Sequence, residues 1–266
     1  MDASSMRSRV VTEGRALAVL VATGVLVVGI STVASGQGPY YPPPQCEPIS
    51  TNNTIVGDGG NNVLNGTPQR DFILAFGGND QADGQANRDC LVMGEGNDRA
   101  TGSGQGDRVF GEQGNDRVAG GEGNDRVDGD SGNDRVRGNS GRDDLNGDRG
   151  DDRMSGGPGN DDGNGCRGDD RVFGGGDNDD LGGALGDDRV NGNSGRDTVS
   201  GGPGDDRVRG GRSRRDELFG RRGNDRLNAR DNVRDAVVNC GPGRDRAIID
   251  FVDPVSRNCE VVIRLP

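Results

Sequence analysis

An aspartate recurs about every ninth residue over most of this 266-residue chain. The series runs Asp71, Asp80, Asp89, Asp98, Asp107, Asp116, Asp125, Asp134, Asp143, Asp152, Asp161, Asp170, Asp179, Asp188, Asp197, Asp206 and Asp225. Asp216 holds the place in one lengthened unit, and Asn62 is the exception. Carboxylates at a fixed spacing are hard oxygen donors, and Ca²⁺ takes roughly six to eight such ligands. Other chemistries are excluded by residue type. There is no His, hence no imidazole ligand or general base. All 32 basic residues are Arg, which removes a lysine nucleophile. The formal net charge of −12 argues against nucleic acid as the main partner. No H-E-x-x-H, G-x-S-x-G or P-loop pattern occurs. Adjacent acids such as Asp151 and Asp152 follow the repeat and need no catalytic role, so the expected protein is not an enzyme.

The elements that position these carboxylates follow from the repeat. Residues 57–228 divide into nineteen nine-residue units of consensus G-x-x-G-[N/D]-D-R-V-x, with one extra residue in "GGRSRRDELF", 210–219. The eighth position is mostly Val, Leu, Ile or Met, with Ala82, Ala100 and Gly163 as small members. A short fixed period predicts a solenoid in which each unit stacks on its neighbours. Gly at positions one and four is expected to supply positive φ and close packing. Three-residue strands place one side chain inward between two outward ones. One aliphatic in nine residues offsets little of the ordering entropy. Stacked carboxylates about 5 Å apart also repel. A divalent ion between them reverses that sign, so folding is expected to couple to metal binding.

Over 57–228 these units resemble the RTX, or hemolysin-type, calcium-binding nonapeptide repeats. The resemblance implies an all-β, parallel β-roll solenoid with two repeats per coil. Six residues of each unit form a turn and three a strand, and several Ca²⁺ ions sit between stacked turns. Each ion joins turns of units two apart. Asp116 then shares an ion with Asp134, Asp125 with Asp143, Asp134 with Asp152, Asp152 with Asp170, and Asp188 with Asp206. Backbone carbonyls supply the remaining ligands. The best sites are expected between residues 111 and 206. Departures weaken some sites: Gln105 and Asp177 replace the fourth-position Gly, "GTPQRDFIL" and "GQANRDCLV" lack the inner Gly, and Arg214 and Arg215 flank Asp216.

Residues 1–36 read as an export signal, with Arg7, Arg9 and Arg15 before the apolar run Ala16–Ile30 and small residues at Ala34 to Gly36. An uncleaved anchor is the alternative reading. Once the signal is removed, no membrane partner is expected. Residues 37–56 form a Pro-rich spacer and lead-in, and 229–266 a repeat remnant and cap. Ile55, Val63, Leu64, Phe72, Ile73 and Phe76 are expected to seal the first coil. Ile249, Phe251, Val252, Val255, Val261 and Val262 are expected to plug the last. Export permits disulfides. Cys46–Cys90 would tie the lead-in to the roll and Cys240–Cys259 would staple the cap, although spacing alone leaves connectivity open. Cys166 is left over, free or bonded to another molecule.

At the seventh position, two units per coil would put Arg99, Arg117, Arg135, Arg153, Arg171, Arg189, Arg207 and Arg226 on one sheet. The other would carry Arg108 and Arg126, then Asp144, Asp162, Asp180, Thr198 and Glu217. Position-five acids near the ladder, such as Asp151 and Asp169, could balance it. The expected function is a secreted, extracellular calcium-binding protein with a structural or interaction role. An anionic wall or extracellular polymer is a candidate partner. The alternative is the calcium-stabilised repeat part of a secreted enzyme or toxin, such as a protease or hemolysin.

Overall fold

The structure, a computed structural model, describes Cys46 and residues 53–212, 215–255 and 258–265. The expected export signal, residues 1–36, and most of the expected spacer lie outside the described residues. The consensus folds into short strands numbered in chain order from β1 (Asn53–Val56) to β23 (Val261–Leu265). Strands alternate between two parallel sheets. Odd-numbered strands make an 11-stranded sheet, and even-numbered strands a 12-stranded sheet that β23 completes. Two units therefore make one coil. In the regular part, each residue pairs with the one eighteen positions on, as Val136 does with Met154.

The eighth-position side chains fill the space between the sheets. Val109, Val127, Val136, Met154, Val199 and Val208 are all 0% exposed. Gly163 occupies this column without leaving it open. A Cβ there would lie 3.1 Å from Leu181 Cδ2 and 3.4 Å from Val172 Cγ1.

Strands are longer than the expected three residues. Most span six, as in β10 (Arg135–Ser140), because positions two and three of the following unit also pair across the coils. The turn proper shrinks to positions four to six. The two glycines also differ in role. At position four, Gly114 has φ +135°, and a Cβ would lie 1.4 Å from the carbonyl oxygen of Gly96, one coil below. At position one, Gly120 has no positive φ; a Cβ would instead fall 2.2 Å from its own unit's Asp125 Oδ2. Position one is thus kept bare for the carboxylate. Positive φ appears at position two, even at Glu112 and Asp148.

The ends also depart from expectation. Ile73 is fully buried and Leu64 nearly so, but Val63 is 69% exposed. Phe72 and Phe76 pack with Cys46, Leu74, Cys90, Val92 and Phe110 in a second cluster, separate from the core between the sheets. Residues 72, 74, 90, 92 and 110 flank inward positions on odd strands, so this cluster covers the outer face of the odd sheet. At the other end Ile249 is buried, and Val255 packs on the core. Phe251, Val252, Val261 and Val262 are exposed and plug nothing. β21 (Val237–Asn239), β22 (Arg246–Asp250) and β23 extend the roll instead. Cys46–Cys90 and Cys240–Cys259 are both disulfide-bonded, and Cys166 is free.

Candidate metal sites

Each sixth-position aspartate enters its turn just before a strand, where its backbone faces the coil above. Its side chain therefore meets the same position one coil away. The N–H of Asp98 donates to Asp116 Oδ1 at 2.7 Å, that of Asp116 to Asp134 Oδ1 at 2.7 Å, and that of Asp134 to Asp152 Oδ1 at 2.7 Å. A second column runs along the opposite edge, with Asp107 donating to Asp125 at 2.7 Å and Asp125 to Asp143 at 2.9 Å. All pairs expected to share an ion are stacked in this way, including Asp152 with Asp170 and Asp188 with Asp206.

Every aspartate of the seventeen is at most 3% exposed. One oxygen is satisfied by the ladder; the other is not. Oδ2 of Asp98, Asp107, Asp116, Asp125 and Asp134 is buried with no hydrogen-bond donor, and the same holds to Asp197 in one column and Asp225 in the other. An unpaired buried polar atom costs about 1–3 kcal/mol, and more when charged. Burial pushes these carboxyls up, against the pull of the backbone N–H. Asp98 and Asp125 rise to about 6, Asp116 and Asp134 to about 7, and Asp107 and Asp152 to about 8. Repeated hard anionic oxygens, buried and without a partner, fit a calcium ion.

Asp71 differs from the rest. Its Oδ2 accepts the N–H and Oγ1 hydroxyl of Thr67, so its own turn already satisfies it. Asp216 takes its place in the column, accepting the Asp197 N–H, and the extra residue shows as a pairing of Thr198 with Glu217, nineteen residues on. The column continues past the regular repeat, through Asp235, Asp245 and Asp253, and Glu260 closes one edge. Sequence spacing hid these members. Asp235 is separated from its strand by the inserted Ala236, although "GRDRA" around Asp245 keeps the consensus.

A second ladder went unread in the sequence. Position-five side chains accept N–H groups in the opposite sense: Asn115 donates to Asn97 Oδ1 at 2.8 Å, Asn133 to Asn115 at 2.7 Å, and Asp169 to Asp151 at 3.0 Å. An amide or carboxylate oxygen suits this role, which accounts for Asn or Asp at most fifth positions, while Arg142 and Arg196 only donate their N–H. Together the two positions clasp each coil from above and below.

Two parallel sheets closed by glycine-rich turns, with buried carboxylate columns along both edges, define a β-roll of the calcium-binding kind. The model of the RTX calcium-binding nonapeptide repeat matches residues 56–91, 93–127, 128–163, 156–190, 182–214 and 211–232. The chain belongs to this family and is a calcium-binding repeat protein. No curated protein matches it.

Proposed function

We propose that this chain is an exported structural protein whose roll folds outside the cell as its aspartate columns take up several calcium ions. The carrying observation is the series of buried Oδ2 atoms without donors. Calcium, when bound, supplies the positive charge that these oxygens lack. Asp116, Asp134 and Asp152 hold the stacked turns in register through their Oδ1 atoms and present Oδ2 inside the turn. The bare first-position glycines keep that space open. Two disulfides suit an oxidising compartment, as does the apolar segment Ala16–Ile30 behind three arginines. We assign no catalysis to the paired acids, since Asp151 and Asp152 each have a place in a ladder. Circular dichroism of the EDTA-stripped chain before and after excess CaCl₂ tests this reading. A large gain of β signal is expected, and superimposable spectra would overturn it.

The seventh-position register supports a partner as well. Arg99, Arg117, Arg135, Arg153, Arg171, Arg189, Arg207 and Arg226 lie opposite one another along the even sheet, all exposed, and Arg246 extends the line. The ion pairs among the described residues, Arg126–Asp128 and Arg196–Glu217, involve none of these side chains. The odd sheet changes from Arg108 and Arg126 to Asp144, Asp162 and Asp180. A row of guanidinium forks about 5 Å apart suits a linear polymer of phosphates or carboxylates. Replacing Arg135, Arg153, Arg171 and Arg189 by Gln should abolish salt-sensitive binding to an anionic wall polymer in saturating calcium. Equal binding by the variant, or none by the wild type, would leave the ladder as surface alone.

A further inference from the structure

We infer that Asp216, Asp231 and Asp235 together form a calcium site richer in carboxylate, and tighter, than the regular steps of the columns. This rests on the calcium reading above but concerns residues outside the repeat pattern. A regular step stacks two sixth-position carboxylates. After residue 228 the spacing lengthens: Glu217, at the start of β19 (Glu217–Arg222), pairs with Val237, twenty residues on. The slack forms segment 229–235, which brings a third acid, Asp231, to the step between Asp216 and Asp235. One carboxylate oxygen from each of the three lies within 4.8 Å of the others, the one such group among the described residues.

Asp216 and Asp235 are 1% and 2% exposed, and Asp231 is half-buried. Asp235 Oδ1 accepts the Asp216 N–H at 3.0 Å, while its Oδ2 is buried with no donor. That second atom is a ligand position independent of the clustering. The segment is also held in place. The Asp231 N–H donates to Asp250 Oδ2 at 2.9 Å, and Asn232 N–H donates to the same oxygen. Asp250 N–H donates in turn to Asp253 Oδ2 at 2.7 Å, and Asp253 Oδ1 accepts the Asp235 N–H at 3.0 Å. The buried pair Asp250 and Asp253 thereby ties Asp231 and Asp235 to one another through the backbone. Affinity in calcium sites rises with carboxylate count and rigidity, and this step has more of both.

Calorimetric titration of the EDTA-stripped full chain with CaCl₂, near neutral pH, tests the site. One equivalent should bind on the order of tenfold more tightly than the rest. Asp231→Asn should lose that equivalent, keep the weaker ones and reach the wild-type dichroism spectrum in saturating calcium. Asp151→Asn, at an exposed position-five acid, should keep it. A wild type with one uniform class of sites, or an Asp231→Asn chain that retains the tight equivalent, would overturn the inference. Should Asp231→Asn fail to reach the wild-type spectrum, Asp231→Glu decides, since it keeps the charge and displaces the oxygen. A weakened tight equivalent supports the site, and an unchanged one removes it. Absence of any calcium binding would instead defeat the calcium reading itself.

Discussion

On the proposed reading most column carboxylates have two tasks: Oδ1 accepts an N–H from the coil below, and the donor-free Oδ2 would take the calcium. Asp134→Ala removes both. It should weaken calcium binding at the steps toward Asp116 and Asp152 and lower the stability of the loaded roll by about 2–3 kcal/mol. Asp71→Ala should cost the calcium sites less, because Thr67 already occupies its carboxylate. Calcium titrations of the two variants compare them directly, and a larger loss of calcium affinity for Asp71→Ala would contradict the assignment. The raised carboxyls also set a pH dependence. Their folded values of about 6 to 8 lie above the ordinary aspartate value of about 4. Protonation therefore favours the calcium-free roll. Its stability is fully present below about pH 4 and is lost as pH rises through 6 to 8. Calcium competes with those protons, so its affinity should rise across the same window. A folding midpoint in calcium that is identical near pH 6 and near pH 8 would refute this linkage.

The turn and strand owe their shape to which positions lack a Cβ. Gly114→Ala forces a methyl into the Gly96 carbonyl at a φ that alanine rarely adopts, and should destabilise the calcium-loaded roll by about 3 kcal/mol or more. Gly163→Ala is the contrasting case. Its φ is ordinary, and the nearest atom is the end of the Leu181 side chain. A gain of roughly 0.5 kcal/mol is expected from the lower entropy of the unfolded chain. Thermal unfolding in excess calcium measures both, and equal effects would show that the close approach at position four is unimportant. The consensus marked the one inward residue per unit, and the resemblance to the RTX repeats supplied the alternation of sheets. It concealed the six-residue strands. The extra pairing at positions two and three depends on the coil above, and no residue type marks it.

At the scale of the molecule, the roll is long, thin and closed at its margins by covalent ties. Cys46–Cys90 fastens the lead-in across the outer face of the odd sheet, and Cys240–Cys259 joins two residues 19 apart in the last coils. A loop of that length contributes about 3 kcal/mol through the unfolded state. Mass mapping of the oxidised protein should find Cys240 linked to Cys259. Cys259→Ser should loosen the coils beyond Asn228, as hydrogen exchange reads, while the coils near Asp134 keep their protection. Uniform protection across the variant would show the tie to be dispensable. Cys166 donates to Asn146 Oδ1 at 3.1 Å, and burial raises its thiol above the usual range, so it is a poor nucleophile.

Period and composition by themselves determined a solenoid with one inward aliphatic and one aspartate per unit; the two-sheet roll, the aspartate columns and the arginine register followed from the resemblance to the RTX repeats. A nine-residue repeat with one aliphatic admits one inward residue per strand, and the pairing at eighteen residues is what two units per coil then require. The chain alone also suggested both disulfide pairings and where the regular repeat ends. Only the tertiary structure decided what each carboxylate oxygen meets, because that depends on the coil above and not on the unit itself. It decided that position-one glycine clears space for Oδ2 and that Phe72 and Phe76 cover a face rather than an end. It also brought Asp231 beside Asp216 and Asp235. The insertion that erased the period is the same slack that lets the chain fold back there, and distance along a chain says nothing about where slack is taken up.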